Sequence, residues 1–319
     1  MSQRRCDRLS KVIMFKEDDK NLNDRHRCCR HRRSVGGSVM KRVLLSAAVA
    51  LSFYVPAFAA TPAAPEHSSS TQSVYIEDLT WPEVKAAIAA GKTTAIIYAG
   101  STEQNGPHMA LGKHNFVAHY AAGEIAKRLG NALVYPTMPF APTGSRERRT
   151  GHMRFAGSVS IDTETFQAVM RQVAQSALAV GFKNVFLMGD HGGGQDALRA
   201  AAEDLVNPNS NYELDETAHV YYVPDLYYKE KEQMKAYLVE HGIPPDAHAA
   251  TDDTSEVMFL DEKKWIRRDK LAPSTAKEEP TTGVEGDPTK ATPELGKMFI
   301  GWKIDDAVNQ IHELLAHKK

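Results

Sequence analysis

Apolar residues follow two rhythms along the chain. Thr94–Ala99 (TAIIYA) and Asn184–Met188 (NVFLM) are short unbroken apolar runs, the pattern of strands buried on both faces. Ala132–Tyr135 and His219–Val223 are further strand candidates. Between them lie longer stretches with helical spacing. Thr80 with Trp81-Pro82-Glu83 opens a helix that ends near Gly91. Asn115–Leu129 stops at Gly130. Thr163–Val180 puts Val169, Val173, Ala177 and Val180 on one face and stops at Gly181. Asp196–Val206, Tyr227–His241 and Ile304–Leu315 complete the set. Strands separated by helices predict an α/β domain whose mainly parallel sheet is covered on both faces. Residues 270–296 are rich in Pro, Thr, Gly and charge and read as a long excursion, a candidate subunit contact.

The first part of the chain breaks this pattern. Residues 1–39 are basic, hold all three cysteines (Cys6, Cys28, Cys29) and show no apolar periodicity. Arg25 to Arg33 reads either as a basic nucleic-acid arm or Cys/His tract, or as sequence translated ahead of the true start. Met40-Lys41-Arg42, the apolar run Val43–Val55 and Ala57-Phe58-Ala59 favour the second reading. Together they have the form of a secretory signal peptide, with an apolar run too short to span a bilayer. The expected organisation is an over-extended, disordered N-terminus (1–39), a signal peptide (40–59), a flexible lead (60–73) and one folded domain (74–319). The expected location is the periplasm or the exterior, without a stable membrane anchor.

Removal of that segment changes the charge. The whole chain has 39 basic and 40 acidic residues, and 13 basic and 5 acidic ones precede Ala60, so residues 60–319 carry an acidic excess of about nine. Such a chain repels phosphate backbones and is a poor partner for nucleic acid. It also has no cysteine, so its core alone must stabilise it.

Candidate chemistry sits beyond the carboxyl ends of two strands, where ligands bind in such sheets. Thr94–Ala99 is followed by Gly100–His108 (GSTEQNGPH) and Leu111-Gly112-Lys113-His114. Asn184–Met188 is followed by Gly189–Gln195 (GDHGGGQ). Glu103, His114 and His191 make a carboxylate-plus-imidazole set suited to zinc or another divalent transition metal. His108 and His152 read equally well as satisfied loop histidines. Gly192-x-Gly194-x-x-Ala197 matches a dinucleotide fingerprint only weakly, because it lies outside the first βα unit. Asp253 begins Asp-Thr-Ser-Glu before an apolar run, which reads as a helix N-cap, as a metal or substrate contact, or as both.

In order, Gly-Ser-Thr-Glu-Gln-Asn-Gly-Pro-His (100–108), Leu-Gly-Lys-His (111–114), His-Met-Arg-Phe-Ala-Gly-Ser (152–158), Gly-Asp-His-Gly-Gly (189–193) and His-Ala-Ala-Thr-Asp-Asp-Thr-Ser (248–255) resemble the creatininase (creatinine amidohydrolase) family over about Val74–Val308. The resemblance implies a three-layer α/β/α sandwich, a divalent metal site that often holds two ions, hydrolysis of a cyclic amide or similar C–N bond, and a homo-oligomer, often a hexamer. It assigns Glu103 and His191 to the metal and proton transfer to His248. The family pattern is altered at four places. Asn105 stands for a metal histidine, His114 for the aspartate that bridges two ions, Gly193 for a second-ion glutamate, and Asp253 for the glutamate of Glu-Thr-Ser. No tryptophan near His248 matches the aromatics that hold creatinine.

The reading is an exported metal-dependent hydrolase of non-peptide C–N bonds in a small cyclic amide. Glu103, His114, His191 and Asp253 are its metal candidates and His248 and Asp190 its catalytic candidates. Zinc is the first choice of ion, with manganese or iron as alternatives, and one tight ion is expected. The rival is a non-catalytic periplasmic small-molecule or metal-binding protein on the same fold.

Overall fold

The computed structural model describes residues 73–207, 215–245 and 248–317. The N-terminal tract, the signal segment and all but the end of the flexible lead lie outside the described residues, as does Asp246. Four strands form one sheet in the order β2-β1-β3-β4: β1 Thr94–Ala99, β2 Ala132–Val134, β3 Asn184–Gly189 and β4 His219–Tyr222. Every pairing is parallel, with Thr94 opposite both Ala132 and Asn184. Among the described residues, eight α-helices accompany it: α1 Trp81–Ala89, α2 Lys113–Leu129, α3 Thr163–Ala179, α4 Gln195–Val206, α5 Asp225–Glu240, α6 Thr251–Trp265, the short α7 Glu279–Thr282 and α8 Pro293–Ala316. No helix among the described residues is long and apolar enough to cross a membrane.

The period of two along β1 makes the layers. Ile96 and Tyr98 point to one face with Phe186 and Met188, where α2 and α8 supply Val117, Ala121, Ile125, Ile300 and Ile304. Ala95, Ile97 and Ala99 point to the other, against Phe166 and Met170 of α3 and Leu198 and Ala201 of α4. Each large apolar side chain buried here contributes about 1.5–3 kcal/mol. Sheet strands buried on both sides give the three-layer α/β/α sandwich expected from the unbroken apolar runs.

Among the boundaries that differ from the sequence reading, two bear on the site. The last helix starts at Pro293, not Ile304. Thr292 caps it by accepting a hydrogen bond from the Leu295 amide, with Pro293 at the position where its missing N–H costs nothing. Gly296 sits where α8 crosses α6 so closely that a Cβ would collide with the Ser255 backbone. The second helix starts at Lys113, which places Lys113 and His114 in its first turn. Residues 270–296 fold back on the domain, where Glu285 exchanges backbone hydrogen bonds with His248 (2.9 and 3.3 Å).

Candidate metal centre

The loops after β1 and β3 meet side by side: the Asp190 amide donates to the Ala99 carbonyl (2.9 Å). Their side chains converge on the Glu103 carboxylate, which has no exposed surface. Nε2 of His191 lies 2.7 Å from Oε2, and Ser101 donates its hydroxyl to the same oxygen at 3.0 Å. Nε2 of His114 lies 3.1 Å from Oε1. Nε2 of His152 is 3.6 Å from Oε2. One carboxylate thus faces three imidazoles. Burial raises the Glu103 pKa, but His114 and His191 outweigh it and hold the group well below the usual carboxylate range.

The ligand atoms of Glu103, His152 and His191 all lie within 4.8 Å of one another. Two imidazoles and a carboxylate form a donor set typical of catalytic zinc, so the residues fit a divalent ion. His114 is a fourth donor at the same carboxylate. Its Nδ1 lies 2.7 Å from Oδ2 of Asp190, so both ring nitrogens face carboxylates; Asp190 holds the Nδ1 proton, and Nε2 is the nitrogen that an ion beside Glu103 would take in place of a proton. Burial and Lys113 press the His114 pKa down; Glu103 and the Asp190 hydrogen bond prevail, and the net direction is up.

The predicted residues therefore fall into two groups. Glu103, His114 and His191 come together, and Asp190 stands one hydrogen bond behind His114. Asp190 also accepts from the Tyr98 hydroxyl (3.3 Å) and lies 3.2 Å from the Lys303 ammonium. The structure does not bring Asp253 to this carboxylate. Asp253 lies in the first turn of α6, not at its cap, which is Ala250. Its Oδ2 accepts from the Lys113 ammonium (2.5 Å) and from the Ala249 amide (2.7 Å). Burial raises its pKa, Lys113 lowers it further, and the net direction is down. Ala249 is held at φ 53°, a left-handed conformation that costs a residue with a Cβ about 1 kcal/mol or more. Asp253 thus anchors the turn that presents His248.

His248 sits on the same cavity, its ring 4.5 Å from that of His152. Its Nε2 lies 3.0 Å from the Gln104 carbonyl, which only accepts, so the ring proton is on Nε2 and the lone pair on Nδ1. Burial, reinforced by Lys113, pushes its pKa down to about 3 and keeps the ring neutral. The cavity measures about 360 Å³.

Sequence reasoning missed two participants. His152 was one of two loop histidines with no spacing to mark it, although it opens the His-Met-Arg-Phe-Ala-Gly-Ser block. Lys113 sits beside His114 and was passed over. Its buried ammonium is 3.9 Å from Oε1 of Glu103 as well as paired with Asp253. Asn105 stands where a metal histidine was expected, and its Nδ2 donates to the Glu103 and Ala110 carbonyls.

Comparison with known proteins places the fold and the family. The family model for creatininase, described as creatinine amidohydrolase, matches residues 77–314. Creatinine amidohydrolase of Pseudomonas putida is 28% identical over 121 residues, 38% of this chain and 46% of the relative, so the match spans about half of that protein. The mycofactocin precursor peptide peptidase of Mycobacterium ulcerans is 25% identical over 249 residues, covering 73% of this chain and 85% of the relative. The crystal structure of creatininase superposes with a TM-score of 0.59 at 19% identity, covering 76% of this chain and 98% of that one. A manganese form of creatininase gives a TM-score of 0.60 at 19% identity over the same shares. At that identity the superpositions show the shared fold.

Proposed function

The chain belongs to the creatininase family, and on that premise we propose that it is an exported, metal-dependent hydrolase of amide C–N bonds. One observation supports this above the others: a buried carboxylate, Glu103, faces the imidazoles of His114, His152 and His191 at the mouth of a parallel sheet. Glu103, His114 and His191 would hold the ion, zinc first and manganese or iron as alternatives. The chemistry such an ion supplies is a water acidified toward neutral pH and a polarised carbonyl.

The chain's own residues do the rest. Asp190 fixes the His114 ring. His248 presents a lone pair on Nδ1, takes a proton from the attacking water and returns it to the leaving nitrogen. Lys113 argues for one ion. A second divalent cation near Glu103 would face a fixed ammonium 3.9 Å from the same carboxylate, while Asn105 has its amide engaged with backbone and Gly193 has no side chain to offer.

The substrate is a small amide that enters a cavity of about 360 Å³. A cyclic amide fits this volume. The likeness to a precursor-peptide peptidase widens the class to the end of a peptide. Export rests on the Met40–Ala60 segment, and homo-oligomer formation rests on the family resemblance. The test is a screen of the zinc- and manganese-loaded protein against cyclic amides, imides, lactams and short peptides. Turnover that a chelator abolishes and metal restores is expected. A metal-loaded protein that turns over none of them would favour the non-catalytic binding protein instead. The mature chain found in periplasmic fractions should begin near Ala60 or Thr61 by mass spectrometry; retention of residues 1–39 would overturn export as drawn here.

A further inference from the structure

Distances alone group His152 with Glu103 and His191, but hydrogen bonding separates it from them. The Gly106 amide donates to Oε1 of Gln104 at 2.9 Å. A backbone N–H only donates, so this contact identifies the oxygen of the Gln104 amide. The amide nitrogen must then be the atom 3.1 Å from Nδ1 of His152. It donates, Nδ1 accepts, and the proton of a neutral His152 ring sits on Nε2, the nitrogen aimed at Glu103. Gln104 is 4% exposed, and turning the amide over would set its NH2 against the Gly106 N–H, donor against donor. The backbone of the same residue fixes His248, whose Nε2–H points at the Gln104 carbonyl (3.0 Å).

We propose that Gln104 is a positioning residue that holds His152 and His248 in the same Nε2–H tautomer but turned in opposite senses. His152 presents its N–H on the Glu103 side of the cavity and His248 keeps a lone pair on Nδ1, and His152 is withheld from the metal. An N–H donor beside a lone-pair acceptor, with rings 4.5 Å apart, suits a reaction in which one oxygen gains charge while another loses a proton. The ion is left to Glu103, His191 and His114, whose Nδ1 partner Asp190 is an acceptor where His152 has a donor. The use made of the two rings rests on the hydrolase reading; their tautomers do not.

Nitrogen NMR of histidine-labelled, metal-free protein reads the tautomers directly. Both His152 and His248 should show the proton on Nε2. Gln104→Glu replaces the donor by an acceptor while keeping the oxygen that Gly106 needs. His152 should switch to the Nδ1–H form and His248 should not change. Freed at Nε2, His152 becomes a ligand, and zinc affinity measured against a competing chelator should tighten about tenfold. Adding His152→Ala should remove that gain; a gain that persists would assign it to the added charge and overturn the role of His152. A wild-type His152 with its proton on Nδ1 would overturn the proposal by itself, whether or not the variants fold. A wild-type protein that binds no zinc would defeat the hydrolase reading and leave the tautomer result standing.

Discussion

Two buried charge clusters lie next to each other in this molecule and share Asp190. Around Glu103, one carboxylate faces three imidazoles. Around Lys303, one ammonium faces three carboxylates: Asp190 at 3.2 Å, Glu230 at 3.4 Å and Glu256 at 3.8 Å. Imidazoles surround the first centre and carboxylates the second, and both clusters line the same cavity. They differ in which partner is scarce. The first has spare lone-pair donors, so it balances by taking up a cation. The second has spare anions, so it balances by keeping protons. Burial pushes Glu230 up to about 7 and Glu256 well above its ordinary value, with Lys303 opposing and the neighbouring acids assisting. Asp190 alone stays low, because Lys303 and His114 together overcome its burial. A buried acid is read as ligand or as framework from its number of partners, not from its type.

The largest effects should fall on the first cluster and should be chemical. His191→Ala removes a donor but little core area, so metal binding and hydrolysis should vanish while the chelator-treated variant unfolds within about 1 kcal/mol of wild type in urea. His248→Ala should keep the metal and lose turnover. Full metal occupancy in His191→Ala, or wild-type turnover in His248→Ala, would erase the contrast.

Next comes the second cluster, where the effect should be structural. Lys303→Met removes the cation that three buried acids share, leaves the Asp190 carboxylate with only His114 to offset its charge, and should cost about 3–5 kcal/mol in urea unfolding at neutral pH. A variant as stable as wild type would show that protons alone balance these acids.

A smaller effect reads the sign of that balance. Glu230 has a pKa raised in the folded chain, so its contribution is present below the unfolded value of 4.5 and is lost as pH rises through about 7. Glu230→Gln keeps a neutral group there and should flatten that loss. The difference between the two unfolding profiles from pH 5 to pH 8 should be on the order of 2 kcal/mol. A steeper profile in the variant would reverse the sign. Smallest of all, Thr292→Ala removes the cap of the helix that carries Lys303 and should cost about 1 kcal/mol by the same assay without changing zinc affinity.

Much of this was legible in the sequence because the fold repeats simple periods. β1 and β3 are unbroken apolar runs; Glu103 and His191 follow within a few residues of their ends, and His114 comes in the first turn of the helix after β1. What was not legible depends on contacts across the chain. His152 arrives on an irregular segment between β2 and α3, where no periodicity marks a position. Asp253 looks like any acid in an acidic tract until Lys113, 140 positions away, is seen to pair with it. The first turns of α8 lie in a Pro/Thr/Gly-rich stretch, and Gly296 makes sense only against the backbone of Ser255, 41 positions away in the chain. Local pattern gives the elements; partnership between distant charges decides what a side chain does.

The most direct test of the account is the metal content of the protein equilibrated with zinc and freed of excess, measured by elemental mass spectrometry for wild type and Glu103→Gln. About one ion per chain is expected in wild type and none in the variant. A metal-free wild type, or full occupancy in Glu103→Gln, would contradict it.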